Sequence, residues 1–257
     1  MSTVAAARRV LVIAGLGNGS GTGGSTARLF SRAGYSVALV ARGADSVEKI
    51  AKEINLAGGD ASAFPVTSYG AQEISDVWGS IRSKYPAPNY TINAAVFNLG
   101  HRVWKNFLDV TPTDLHESIA IHVEAAFSFA REAIITFKAN EIQEPSGKRG
   151  TLIFTGATAS LRGNTMTSAF AAGKFGLRAL AQSLSKEFGQ DNIHVAHTII
   201  DGVILTDRLL ELRPEFKGKP DISVNPESIA NAYLYLVNQD RSALTWELDL
   251  RPAHEKW

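Results

Sequence analysis

Apolar residues run without a break over 10–14, Val10-Leu11-Val12-Ile13-Ala14, rich in β-branched side chains and closing on glycines. Continuous runs of this length suit a strand buried on both faces of a parallel sheet, where alternation would mark a half-exposed one. A Gly/Ser/Thr cluster follows, and 26–33 reads as a helix. Residues 36–40 repeat the strand pattern, and 45–56 set Val47, Ile50, Ala51 and Ile54 on one helical face. The alternation continues with strands over 61–66, 90–95, 150–155 and 194–200, and helices over 71–84 and 168–189. A long, mostly helical stretch covers 112–139, and 225–238 is a helix with Pro226 in its first turn. Residues 246–250 make a final edge strand, and the polar segment 141–149 reads as a surface loop. Strands alternating with helices at this spacing predict an α/β fold. The expected form is a single domain over 1–257, with a doubly wound, mostly parallel seven-stranded sheet and helices on both faces.

Composition narrows the chemistry. Lys and Arg total 26 against 25 Asp and Glu, so no net field favours nucleic acid or an anionic membrane, and neither partner is expected. There is no cysteine, which removes disulfides, thiolate catalysis and cysteine-based metal sites, and no metal is expected. The first residues lack a basic-then-apolar leader, and 10–15 is too short to cross a bilayer, so a soluble cytoplasmic protein is expected.

Phosphate affinity must then come from local geometry. The run Gly15-Leu16-Gly17-Asn18-Gly19-Ser20-Gly21-Thr22-Gly23-Gly24 lies between the first strand and first helix. Glycines there let backbone N–H groups approach a pyrophosphate, and the helix N-terminus favours negative charge. Gly17, Gly21 and Gly23 carry the G-x-x-x-G-x-G spacing, and the chain resembles the short-chain dehydrogenase/reductase family, whose fold is Rossmann-type. Its first glycine would be Gly15, leaving a loop longer by two residues. Other resemblances run in order along the chain. Asn93-Ala94-Ala95 is similar to the family's N-A-G, which lines the cofactor cleft, and Asp201-Gly202-Val203 followed by Thr206 resembles P-G-x-x-x-T, which holds the nicotinamide carboxamide. Pro65 falls where the family often has an aspartate near the adenine, which alters that contact. Val66 and Thr67 beside it are cofactor-binding candidates, and Lys174 matches the family's active-site lysine. After the second strand stands Arg42, with no carboxylate before Asp45. Arginine there accepts a 2′-phosphate, whereas a carboxylate would bind a free ribose, so NADP(H) is favoured over NAD(H). A solvated surface arginine is the alternative.

The resemblance also implies a Y-x-x-x-K pair, a serine thirteen residues before the tyrosine and an asparagine on the preceding long helix. Counting from Lys174, these positions hold Phe170, Ala157 and His122. Phenylalanine cannot transfer a proton, and a positioned acid contributes about 10²–10⁴ in rate. Thr158 and Ser160 could donate to a carbonyl or imine, or simply satisfy local backbone. His122 could be a general acid or a packed helix histidine, and Lys174 could hold the ribose or sit on the helix surface.

Two functions fit. One is an NADP(H)-dependent oxidoreductase with a non-standard site, passing hydride to a small apolar or aromatic substrate such as an imine, an iminium or an activated double bond. The other is a redox-inactive relative, either a cyclase of Diels–Alder type or a regulatory NADP(H)-binding module. The substrate region is expected over 203–220, where Leu205, Leu209, Leu210, Leu212 and Phe216 alternate with Arg208 and Arg213, facing Val96, Phe97, His101 and Trp104. The resemblance further implies a homodimer or homotetramer pairing through 112–139 and 168–189.

Overall fold

The structure, a computed structural model, describes residues 7–255. Seven parallel strands form one sheet in the order β3-β2-β1-β4-β5-β6-β7. They are β1 (Arg8–Ala14), β2 (Ser36–Arg42), β3 (Asp60–Val66), β4 (Tyr90–Phe97), β5 (Gly150–Thr155), β6 (Ile193–Ile200) and β7 (Glu247–Leu250). Between them run α1 (Thr22–Arg32), α2 (Ala44–Leu56), α3 (Ala71–Lys84), α4 (Pro112–Ile119), α5 (Ala125–Lys138), α6 (Ser168–Phe188), α7 (Asp207–Leu212) and α8 (Pro226–Asn238).

Period-two side-chain alternation explains why the strands read as continuous apolar runs. Leu11 and Ile13 point into one core with Phe30, Ile50 and Tyr233, beneath α1, α2 and α8. Val10 and Val12 point into the other with Trp78, Phe129 and Leu177, beneath α3, α5 and α6. Both faces of the strand must therefore be apolar. Local chemistry fixes several helix starts. Thr111 accepts from the Asp114 N–H at 3.1 Å while Asp114 accepts from the Thr111 N–H at 2.9 Å, and Pro112 occupies the first turn of α4. Asn225 caps α8 through the Glu227 N–H at 2.9 Å.

Four expectations change. Helix α1 begins at Thr22, four residues early, because the last glycines of the loop are themselves helical. Strand β4 runs on to Phe97, which pairs with Ala14. The helix over 112–139 is interrupted by a π-helical turn, Ala120–Glu124, which contains His122. The segment 141–149 is not wholly superficial: Lys148 is buried and donates to the Leu236 and Val237 carbonyls at the end of α8, at 3.4 and 2.9 Å. Among the described residues, no helix is long and apolar enough to cross a membrane.

Candidate active site

In this strand order the chain leaves β1 toward β2 on one side, while β4 lies on the other. The carboxyl ends of β1 and β4 therefore bound a crevice, the usual ligand position in open α/β sheets. A cleft of about 720 Å³ opens there. Gly15, Gly17, Gly21, Thr22 and Gly23 form its floor on the β1 side. Gly15 has φ +96°, and a Cβ on it would lie 2.6 Å from the Asn98 carbonyl oxygen. A Cβ on Gly23 would lie 2.1 Å from the Gly15 carbonyl oxygen, so only glycine lets helix and strand approach this closely. Gly19 is outside the lining; its carbonyl accepts from Arg28 Nη1 at 2.7 Å.

Helix α1 opens onto this floor with Gly21 at its N-cap, no side-chain cap and no acid in its first turn. Its first N–H groups and the positive end of its dipole are thus left for an anion. Thr22 is 4% exposed, lines the cleft, and its Oγ1 is buried without a hydrogen-bond partner. A buried unpaired hydroxyl is costly, and a ligand oxygen at the helix terminus would satisfy it.

At the β2 side stands Arg42, exposed, its guanidinium carbon 5.3 Å from the Tyr69 ring centroid. The Tyr69 hydroxyl accepts from the Arg42 N–H at 3.3 Å, and burial holds its pKa above the ordinary phenol value. Val66 and Thr67 do not line the cleft. Val66 is buried, and the Thr67 hydroxyl is given to Glu73 at 3.0 Å, whose carboxyl is held down to about 2 by hydrogen bonds from Ser68 and Thr67. Tyr69, an aromatic three residues beyond β3, lines the cleft on this side instead. The cationic side chains on the walls are Arg42, Arg102, Lys174 and Arg208, and among the described residues no carboxylate lines the cleft.

The β4 side requires a correction. Asn93, Ala94 and Ala95 lie within the strand: Ala94 and Ala95 are core residues, and Asn93 faces a separate hollow at the opposite end of the sheet. Because β4 continues to Phe97, the cleft is lined instead by Asn98, Leu99 and Gly100. Asn98 ties the two strand ends together, its N–H donating to the Ala14 carbonyl at 2.9 Å and its Nδ2 to the Gly15 carbonyl at 2.7 Å. The N-x-G spacing of Asn98-Leu99-Gly100 was the available signal. Val96 and Phe97, expected on a substrate wall, are core residues for the same reason. Arg102 does line the wall, stacked 4.7 Å from the Trp104 ring, while His101 pairs with Glu117 at 3.2 Å.

After β6, Asp201 is 1% exposed and bound by Arg251 at 2.8 Å and Arg162 at 3.3 Å. Gly202 packs against Pro252 and Val224, and the Val203 carbonyl accepts from the Val224 N–H at 2.8 Å, so neither residue faces the cleft. Ile204, Thr206 and Arg208 do. The Thr206 hydroxyl caps α7 through the Leu209 N–H at 3.1 Å, and the Asp207 N–H donates to Ser20 Oγ at 3.2 Å, joining the 203–220 region to the glycine loop.

The last wall is the end of β5 with the start of α6. Thr155, Gly156, Ala157, Phe170 and Lys174 line it. Lys174 is 4% exposed and donates from Nζ to the Thr155 carbonyl at 2.9 Å, with the Phe170 ring 6.0 Å away. Burial lowers its pKa to about 7. The other candidates are turned away. The Thr158 hydroxyl donates to the Asp201 carboxylate, and buried Ser160 accepts from the Ala157 N–H at 3.1 Å. His122 is fully buried in the π-helical turn, edge-on to Phe170 at 5.4 Å. Its Nε2 accepts from the His101 N–H at 3.2 Å. Nδ1 lies 3.2 Å from Ser118 Oγ, whose own proton goes to the Ala169 carbonyl at 2.8 Å. Nδ1 therefore carries the hydrogen, and burial lowers the pKa to about 3. A neutral imidazole whose one hydrogen is directed at Ser118 Oγ has none directed at the cleft.

With the geometry in place, comparison with known proteins decides the family. Residues 9–216 match the family model for short chain dehydrogenases. The chain belongs to the short-chain dehydrogenase family. The 3alpha-hydroxysteroid dehydrogenase of Mediterraneibacter gnavus is 26% identical over 242 residues, 90% of this chain and 91% of that protein. The crystal structure of a short-chain dehydrogenase from Rhodopseudomonas palustris superposes with a TM-score of 0.76 at 30% identity, covering 95% of this chain and 98% of that one. A metagenomic short-chain oxidoreductase in complex with NADP shares the fold, with TM-score 0.78 at 21% identity, covering 96% and 98%.

In this short-chain dehydrogenase the two ends of the cleft differ in their lining. The glycine loop and helix α1 offer unpaired donors, while at Ala157 and Phe170 the wall is hydrocarbon. Lys174 is the titratable side chain on that wall.

Proposed function

We propose that the protein is an NADP(H)-dependent reductase whose reacting end differs from the family pattern. The observation that carries this reading is the uncapped α1 terminus with the unpaired Thr22 hydroxyl, opening into a cleft walled by cations and free of carboxylates. The residues fit a phosphorylated dinucleotide: the α1 N–H groups and Thr22 would hold the pyrophosphate, and Arg42 with Tyr69 the 2′-phosphate end. Without a carboxylate there, an unphosphorylated ribose has no acceptor for its hydroxyls. Bound reduced nicotinamide would supply hydride; a neighbour of the same fold is described in complex with NADP.

The substrate reading follows from the reacting end. Ile121, Leu99, Ile204 and Phe170 line the cleft, which favours a small apolar or aromatic molecule. Phe170, at the tyrosine position implied by the family resemblance, offers no proton. The chemistry supported is hydride addition to an imine, an iminium or an activated double bond, where a carbonyl's demand for a strong positioned acid is absent. The protein works in the cytoplasm on a small molecule, with neither nucleic acid nor membrane as partner. It assembles as a homodimer or homotetramer through α5 and α6, whose Phe127, Ile135 and Phe175 are exposed.

Titration of the purified protein with NADPH and NADH, followed by nicotinamide fluorescence, tests the reading. NADPH is expected to bind more tightly than NADH, with the difference lost in Arg42→Ala. Failure to bind either nucleotide overturns it, and binding without turnover on imines or activated alkenes favours the redox-inactive alternative.

A further inference from the structure

We propose that Lys174 is the proton donor of this site: its ammonium protonates the nitrogen of a bound imine, and the iminium carbon so formed accepts the hydride. This rests on the reductase reading above and names both its acid and its substrate class. The titratable side chains on the cleft walls are Arg42, Tyr69, Arg102, Lys174 and Arg208. Arginine does not release its proton in proteins. The Tyr69 hydroxyl is engaged with the Arg42 backbone at the β2 end, away from Phe170. Thr158, Ser160 and His122 do not line the cleft; the Thr158 hydroxyl donates to Asp201 and His122 Nε2 accepts from the His101 N–H. Lys174 alone combines a place on the wall with a proton it can exchange.

Its geometry supports the assignment. An ammonium carries three donors. One goes to the Thr155 carbonyl, and no acceptor among the described residues takes the other two. The titratable groups that interact with it from neighbouring elements are His122 on the π-helical turn and His197 on β6, both held neutral by burial. No carboxylate stabilises its charge, and burial brings it to about 7, so it exchanges protons at neutral pH. The step balances: an Nζ–H bond breaks and an N–H bond forms on the substrate. Hydride from the reduced nicotinamide, the named reductant, completes the C–H bond, and neutral Lys174 regains a proton from water. An imine nitrogen is a far stronger base than a carbonyl oxygen, which matches a donor with no second acid beside it.

The test has two arms. Competitive acetylation of the unliganded protein over a pH series, read lysine by lysine by mass spectrometry, is expected to give Lys174 a midpoint near 7. A midpoint in the ordinary lysine range, or no labelling at any pH, overturns the proposal. Lys174→Arg keeps the positive charge but cannot release a proton. It is expected to hold NADPH within about tenfold of wild type yet lose at least about 10² in cyclic-imine reduction; Lys174→Met is expected to lose the same rate. Imine reduction by either variant at near wild-type rate overturns the assignment alone. Wild-type protein that binds no NADPH overturns the reductase reading itself, an outcome the titration separates from the first.

Discussion

The two ends of the cleft treat their polar atoms in opposite ways. At the glycine loop, Thr22 Oγ1 is left without a partner and α1 has no side-chain cap. At the β5–α6 end, Thr158 and His122 are engaged within the protein, Ser160 accepts from the Ala157 N–H, and the side chains of Ala157 and Phe170 present only carbon to the cleft. Burying an unpaired donor or acceptor costs about 1–3 kcal/mol, which a ligand oxygen at the α1 terminus would offset at Thr22. The contrast sets an unpaired hydroxyl at one end of the cleft against hydrocarbon and Lys174 at the other, and the proposed cofactor seat and proton donor rest on it.

Acid should have the largest effect. His122 and His197 are buried neutral, with pKa values lowered by burial to about 3 and about 4. Unfolded histidines take up protons below about 6.5, so between there and 4 the unfolded state binds more protons and stability falls as pH falls. Each contributes roughly 1.4 kcal/mol per pH unit of that window. Melting temperature against pH is expected to drop steeply below 6.5, and His197→Gln should flatten the slope. A flat profile down to pH 4 would place these rings in a different environment.

Phe170→Tyr restores a hydroxyl beside Lys174 and should raise ketone reduction by about 10²-fold or more in steady-state assays. No gain would mean that the reacting end differs by more than its acid. At the other end, Arg42→Ala removes a charged contact of about 1.5–3 kcal/mol, a loss of roughly 10- to 100-fold in NADPH affinity by fluorescence titration with NADH unchanged. The smallest expected effect is that of Thr22→Val. It should weaken both nucleotides by about 1 kcal/mol without lowering the melting temperature, because that hydroxyl has no partner to lose.

The sheet and its helices were legible in the sequence because a doubly covered strand must be apolar on both faces, and Val10 to Ala14 obeys that rule. The glycine loop, Arg42, Phe170 and Lys174 were legible for a related reason: their spacing to a strand end or along one helix fixes where they point. Legibility failed where tertiary pairing decides a boundary. Ending β4 at Ala95 made Asn93 a cleft residue, whereas pairing of Phe97 with Ala14 carries the strand two residues further and hands that role to Asn98. Tyr69, Arg102 and Arg208 reach the cleft from loops and a short helix, where no periodicity aims a side chain. The fates of Thr158 and His122 depend on Asp201 and Ser118, partners that no local pattern of sequence reveals.

A single-turnover experiment addresses the central claim most directly. The protein preloaded with NADPH is mixed with a cyclic imine or with the ketone of the same ring, and loss of reduced-nicotinamide absorbance is followed. The account predicts rapid oxidation with the imine and a rate lower by at least about 10² with the ketone. Equal rates on the two substrates would contradict it, showing that the site supplies a full carbonyl acid despite Phe170.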